Sequence, residues 1–308
     1  MSTVDVVGIG QNAVDRLILA EHFPVYTGKE RFHSEMQSPG GQVATAIAAC
    51  AQLGLRTKYV GTICDDDAGR LQHKSLRSAG IDIADLITRP DCATQSAYIV
   101  IDGSGERTVP WRRDAALELR AEEIRSEWFA DARMLHLDAG DLPAVTRAAE
   151  MARALGIPVS LDADTIYPEL GPLFANVDYL IAASGLLEAL TGESDVVKAI
   201  ERTHREYGCR AVGVTLGADG AMLFTDGKLY YSPGFSINCV DTTGAGDVFH
   251  GAFCYSVLEA MSWPQTLDFC NAMAALNCRA FGARGALASR DEAAELVRTG
   301  ARHRRAGF

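Results

Sequence analysis

Residues 241–247 read Asp-Thr-Thr-Gly-Ala-Gly-Asp and run into an apolar stretch: Val248, Phe249, Gly251, Ala252 and Phe253. A small-residue loop entering a helix leaves backbone N–H groups unpaired at the positive end of the helix dipole. That is a seat for an anion that needs no cationic side chain. Gly244 and Gly246 let the main chain approach closely, with Ala245 between them. Asp247 falls in the first helical turn. A carboxylate beside an anion cradle suits acceptance of a proton from a hydroxyl attacking a bound phosphoryl group. The plainer reading of the same residues is a glycine-rich turn whose Asp starts a helix.

The elements that must hold this loop are those of an α/β chain. From residue 121 helical and strand-like segments alternate: helix 121–128, strand 133–137, helix 143–155, strand 157–162, strand 177–182, helix 194–207 and strand 210–216. This rhythm predicts a three-layer, Rossmann-like, mostly parallel sheet with helices on both faces. Ligands in such sheets bind beyond the carboxyl ends of the strands, where Asp138 falls. Residues 14–38 are strand-like, and 95–101 with 106–112 form a hairpin pattern about Asp102-Gly103-Ser104-Gly105. Together they predict a small antiparallel lid sheet over 14–38 and 94–113, with residues 1–13, 39–93 and 114–308 forming the large domain. An apolar sheet face needs a cover, so the lid points to a homodimer. Arg107, Arg112 and Arg113 lie on or after the hairpin; phosphate screening and plain solvation are both open for them.

Composition narrows the classes. The 308 residues are 48% hydrophobic and 22% charged, enough for a sizeable folded core. A net charge of −11 argues against nucleic acid or an anionic membrane as the main partner. No apolar run reaches membrane-spanning length and the N-terminus has no signal-peptide form, so a cytoplasmic location is expected. The eight cysteines contain no C-x-x-C and read as buried free thiols; the seven histidines show no metal-binding spacing. Gly8-x-Gly10 lacks the third glycine of a dinucleotide motif, Ala13 standing there. Asp65-Asp66-Asp67 reads as a helix cap rather than a cation site. Arg298, Arg302, Arg304 and Arg305 read as a solvated basic tail.

The string at 241–247, continued by V-F-H-G-A-F, resembles the C-terminal signature of the ribokinase-like (PfkB) carbohydrate kinases. The resemblance spans Asp15 to Gly285. It implies that 244–246 form the anion hole and that Asp247 is the catalytic base. It further implies that Asp15, Gly40, Gly41, Thr45 and Asp138 hold a sugar, Thr45 standing where many members have Asn. Thr215, Gly217 and Gly220, with Asn271 and Gly285, correspond to the nucleotide site, and Asp241 with Ser289 to a K⁺ site. The implied activity is ATP- and Mg²⁺-dependent phosphorylation of a primary hydroxyl of a small ketose or pentose. A nucleoside kinase of the same fold and a sugar- or nucleotide-binding sensor are the alternatives. One motif is missing: Ala183 and Leu186 stand where relatives carry N-x-x-E, and Glu188 is two residues off. That region and Thr45 are similar to ketose and sulfofructose-type kinases. Lys29 matches a sulfonate-binding position, but Gly140 and Trp111 replace an expected Arg and Asn, so sulfofructose is not assigned.

Overall fold

The computed structural model describes residues 4–103 and 107–303. In chain order, β1 (Val4–Ile9), β2 (Ala13–Ala20) and β3 (Phe32–Gly40) lead into α1 (Gln42–Gln52). Then follow β4 (Thr57–Val60), β5 (Thr62–Cys64), α2 (Asp67–Ser78), β6 (Ile87–Arg89), β7 (Ser96–Ile101), β8 (Arg107–Thr108) and β9 (Trp111–Arg112). The central units are β10 (Ala132–Asp138), α3 (Leu142–Ala154), β11 (Val159–Ala163), α4 (Gly171–Phe174), β12 (Tyr179–Ala183), α5 (Leu186–Thr191) and α6 (Val196–Tyr207). Last come β13 (Ala211–Thr215), β14 (Ala221–Thr225), β15 (Lys228–Ser232), α7 (Ala245–Leu258), α8 (Trp263–Asn277) and α9 (Arg290–Thr299).

Eight strands form the central sheet in the order β15-β14-β13-β12-β11-β10-β1-β4, parallel from β13 to β4 and antiparallel at β14 and β15. Its strands are buried on both faces, as near-continuous apolar runs such as Tyr179–Ala182 require. One face packs Val7, Leu135, Leu161 and Val212 under α3 and α6. The other packs Val6, Tyr59, Met134 and Ile181 under α1, α7 and α8. The crossing of α1 and α7 is close: a Cβ on Gly251 would strike the carbonyl of Ala46 and lie 2.8 Å from Ala49 Cβ. Among the described residues no helix is long and apolar enough to cross a membrane.

The lid sheet runs β3-β2-β7-β8, with β9 also on β7. It is mixed rather than antiparallel, because β2 and β7 are parallel. The chain leaves β3 for α1, β4 and α2 in the main body and re-enters at the same end, so β7 points along β2. Leu17, Ala97, Ile99 and Ile101 pack the inner face with Phe281 against them. Ser104 and Gly105 of the hairpin turn lie outside the described residues, as do Arg304 and Arg305.

Three other expectations change. Residues 121–128 form two short 3-10 turns, Ala121–Glu123 and Ser126–Trp128, instead of one helix, with Ile124, Trp128 and Phe129 buried at irregular spacing. Cys64 and Cys92 form a disulfide, and Cys239 is exposed, so the cysteines are not uniformly buried thiols. The pairing of β5 with β6 and the bond from Cys64 N to Thr94 Oγ1 bring the two cysteines together across 28 residues. Arg302 is no solvated tail residue: its guanidinium lies 3.6 Å from the Phe235 ring centroid and pairs with Asp268 at 2.8 Å. Asp66 caps α2 as its residue type predicts, accepting from Gly69 N at 2.7 Å.

Candidate active site

The parallel strands deliver carboxylates to one edge. Asp138 ends β10 and is the register partner of Asp162 on β11, with Asp164 just beyond. The Asp138 carboxylate is fully buried and accepts from Gln11 N at 2.7 Å and Gly140 N at 2.9 Å. Burial nonetheless pushes its pKa up to about 7, helped by Asp141 and Asp162 and opposed by those two amides. Asp162 is held in turn by His250 Nε2 of α7 at 3.1 Å.

From the lid, β2 carries Asp15 opposite Ser38 of β3, and its carboxylate lies against Gly40 so closely that a Cβ there would collide with it. Asp15 is 5% exposed, and burial raises its pKa to about 7 while Arg284 and Arg107 pull it down. Gly41, at φ 90°, is the N-cap of α1 and has no room for a Cβ against the Asn12 backbone. Glycine is therefore required there both by conformation and by space. Thr45 is fully buried, its hydroxyl accepting from Arg284 Nε at 3.2 Å.

Gly244 is the N-cap of α7 in the left-handed region, φ 74°, packed against the Ala283 backbone. Ala245 N bonds Thr242 O at 3.2 Å, and Asp241 holds the loop from beneath through Thr243 N at 2.9 Å and Gly282 N at 2.8 Å. The amides of Gly244, Gly246 and Asp247 are left without a protein acceptor among the described residues. Asp247, half-buried at the first turn, has its pKa raised well above the ordinary carboxylate range by burial and by Asp162, Asp15 and Asp164; Arg284 opposes the shift. Asp247 and Asp15, 232 positions apart in the chain, thus sense each other's charge.

A cavity of about 520 Å³ opens beside this loop, lined by Thr215, Gly217, Gly220 and Asn271, with Ala245, Gly246 and Phe249 at the start of α7. Asn271 donates to Ser232 O at 2.9 Å, which fixes its amide at the cavity wall. Arg107 reaches in from β8 and donates to Thr242 Oγ1, so one hairpin arginine meets the loop that opens α7. Arg113 instead pairs with buried Asp141 at 2.6 Å, and Arg112 is exposed. Gly285 is not a cavity residue; its N–H closes a turn on Gly282 O at 3.0 Å that delivers Arg284 inward.

Arg284 is the site residue that motif reading passes over. Its guanidinium donates to Gly40 O at 2.9 Å, Thr45 Oγ1 at 3.2 Å and Ser75 Oγ at 3.1 Å, and desolvation lowers its pKa to about 10. It staples the lid exit, α1 and α2 to the loop after α8. Nothing local in G-A-R-G-A marks it. The signal that was available for Asp162 and Asp164 is their place at the end of a predicted strand, the same argument that singles out Asp138.

The metal expectations fit less well. Among the described residues no three His, Cys, Asp or Glu side chains cluster to hold an ion. Glu188 has one buried oxygen without a partner, but it stands alone on α5. Asp241 is committed to Thr243 and Gly282, and Ser289 caps α9 in a capping box with Glu292. A K⁺ held by those two side chains does not fit.

Residues 3–290 match the pfkB family carbohydrate kinase model. The chain is 30% identical over 288 residues to the ATP-dependent ribose-1-phosphate kinase of Halopiger xanaduensis, covering 92% of this chain and 95% of that one. It superposes on Arabidopsis thaliana ribokinase, complexed with ribose and ATP, with a TM-score of 0.84 at 25% identity, covering 97% and 100% of the two chains. A protein of Escherichia coli assigned as a ribokinase II, in complex with ATP and Mg²⁺, gives 0.84 at 23% identity over 96% and 99%. Fructokinase and nucleoside kinase names occur among relatives at 27% identity. The match carries the family and not a sulfofructose-type subgroup. The chain belongs to the pfkB family of carbohydrate kinases, and is an ATP-dependent enzyme of that family.

Proposed function

We propose that this kinase transfers the γ-phosphoryl group of MgATP to a primary hydroxyl of a small ketose or pentose, with Asp247 as general base. The observation that carries the reading is the placement of the Asp247 carboxylate in the first turn of α7, next to unpaired amides and within electrostatic reach of Asp15. ATP lies in the 520 Å³ cavity, along Thr215, Gly217 and Gly220 and beside Asn271, with its terminal phosphate at 244–246. The sugar lies between Asp15, Gly40, Gly41 and Asp138. Asp247 takes the hydroxyl proton as the oxygen attacks phosphorus, and the bond to the β-phosphate oxygen breaks to release ADP. Because such transition states are loose, positioning and electrostatics dominate. The free amides and Arg107 meet charge on the transferring oxygens. Magnesium arrives with the nucleotide and spreads phosphate charge.

Measuring ADP release across ketoses, pentoses and nucleosides tests the assignment. Turnover confined to nucleosides moves the acceptor to the nucleoside class. Binding of ATP and sugar without any turnover makes the chain a sensor, the reading that Ala183 and Leu186 would then explain. Asp247→Asn is expected to lower kcat by ~10²-fold or more while leaving nucleotide affinity unchanged. An active Asn variant removes Asp247 from the base role.

The lid supports a second proposal, a homodimer. Phe32, Tyr98, Val109 and Trp111 are exposed on its strands and connections, an apolar surface that a second lid would cover.

A further inference from the structure

Two thiols meet at the wall of the nucleotide cavity. Cys239, exposed on the segment between β15 and the anion loop, and Cys278, buried at the C-cap of α8, both line it. Their main chains are tied together: Cys278 O accepts from Val240 N at 2.7 Å and from Asp241 N at 3.3 Å. The path between the two α-carbons through that shorter bond is about 7.5 Å even fully extended, against the roughly 4.4–6.8 Å usual across a disulfide. The Cys278 Sγ donates to Ala274 O at 3.3 Å, and burial first, then the neighbouring Cys239 thiol, push the Cys278 thiol up to about 12. A thiol so disfavoured as thiolate is a poor first nucleophile, which leaves exposed Cys239 as the point of entry. The other free pair in contact, Cys50 and Cys254, is fully buried between α1 and α7 and is closed to reagents.

We propose that Cys239 and Cys278 form an oxidisable pair that gates the nucleotide cavity, a proposal that rests on the assignment of this cavity to ATP. The oxidant is hydrogen peroxide. The Cys239 sulfur attacks one peroxide oxygen, the O–O bond breaks, and one water leaves with a sulfenic acid formed on Cys239. The Cys278 sulfur then attacks Cys239 Sγ, the S–O bond breaks, and hydroxide leaves with the Cys278 proton as a second water. Two electrons pass from the sulfurs to the peroxide and a disulfide remains, reversible by thiol exchange. The bridge pulls residue 239 across the cavity wall. It also pins residues 240–241, which support Thr243 and Gly282 beneath the anion loop. ATP loses its seat as a result.

The test uses the whole chain, treated with hydrogen peroxide and digested without reduction, with mass spectrometry of the peptides. A fluorescent ATP analogue is titrated in parallel. A peptide linking 239 to 278 is expected, with nucleotide affinity down at least tenfold and restored by dithiothreitol. Phenylarsine oxide, which bridges adjacent thiols, is expected to bind the reduced protein and to be displaced by the analogue. In Cys278→Ser, peroxide is expected to leave that variant's own nucleotide affinity unaltered. Absence of the linked peptide overturns the proposal, and so does a linked protein that binds nucleotide as tightly as the reduced one. Failure of the reduced protein to bind the analogue at all instead overturns the ATP assignment, and the gate with it.

Discussion

Asp15 and Asp247 face one guanidinium, that of Arg284, across the space between lid and main sheet, and Asp162 and Asp164 add their charge on Asp247. Asp247, Asp15 and Asp164 each bind a proton more tightly than free carboxylates, chiefly through desolvation. A general base must be ionised to work, so kcat/KM is expected to rise with pH through the titration of this group. Arg284 holds both Asp15 and Asp247 down. In Arg284→Met the acid limb of the kcat/KM profile should move up by about one pH unit or more, so that activity lost at pH 7 is partly recovered at pH 9. A fold defect alone would lower the profile without shifting it, and Arg284→Lys should restore part of the limb. Asp15 adds a stability signature. Its folded pKa of about 7 lies above the ordinary carboxylate value of 3.8. The stabilisation from proton binding is therefore complete below about pH 4 and is lost as pH rises towards 7. Asp15 has no hydrogen-bond donor of its own in the protein among the described residues, so Asp15→Asn should raise Tm at pH 8 by about 2 °C or more. Little change is expected at pH 4, and sugar affinity should fall.

At the scale of elements, contiguity decides what the sequence reveals. The turn at 241–244 and the helix start that carries Asp247 were legible because they lie within seven residues whose spacing itself encodes a turn and a helix start. The strands that carry Asp138 and Thr215 were legible from apolar runs at the length of buried strands. The direction of β7 was not, since hairpin patterning shows which segments pair locally and says nothing of a return after the long excursion from 41 to 95. Nor was Arg284, whose partners Gly40 and Thr45 lie 244 and 239 positions away. The 121–128 segment misled because its charged and apolar residues fit a helix locally, while Trp128 and Phe129 are drawn into the core at the wrong angles for one. The α1–α7 crossing ties the two glycine signatures together, since Gly41 opens one helix and Gly244 the other. Gly251→Ala would place a methyl against Ala46 and Ala49. It should cost about 1–3 kcal/mol, read as a lower denaturation midpoint, and should reduce kcat because the start of α7 moves with the helix.

For the molecule as a whole, the two sheets divide the labour: the large one presents carboxylates and the cavity proposed for ATP, and the lid brings Asp15 and Arg107. A lid-mediated dimer would couple this placement to the partner. Trp111, 64% exposed on β9, is the test position. The wild-type chain is expected to elute with twice the monomer mass under light scattering, and Trp111→Glu with the mass of one chain. A monomeric wild type removes the dimer.

Arg302 stacks on Phe235 and also donates to Ser232 Oγ and Pro233 O, while Phe235 and His303 both border the 520 Å³ cavity. The last described turn of the chain is thus a buttress for the wall of the cavity proposed for ATP. Trimming the protein back to the end of α9 would leave Asp15, Asp138 and Asp247 in place and yet unshore that wall, so on this proposal a shortened enzyme would fail first in its grip on ATP.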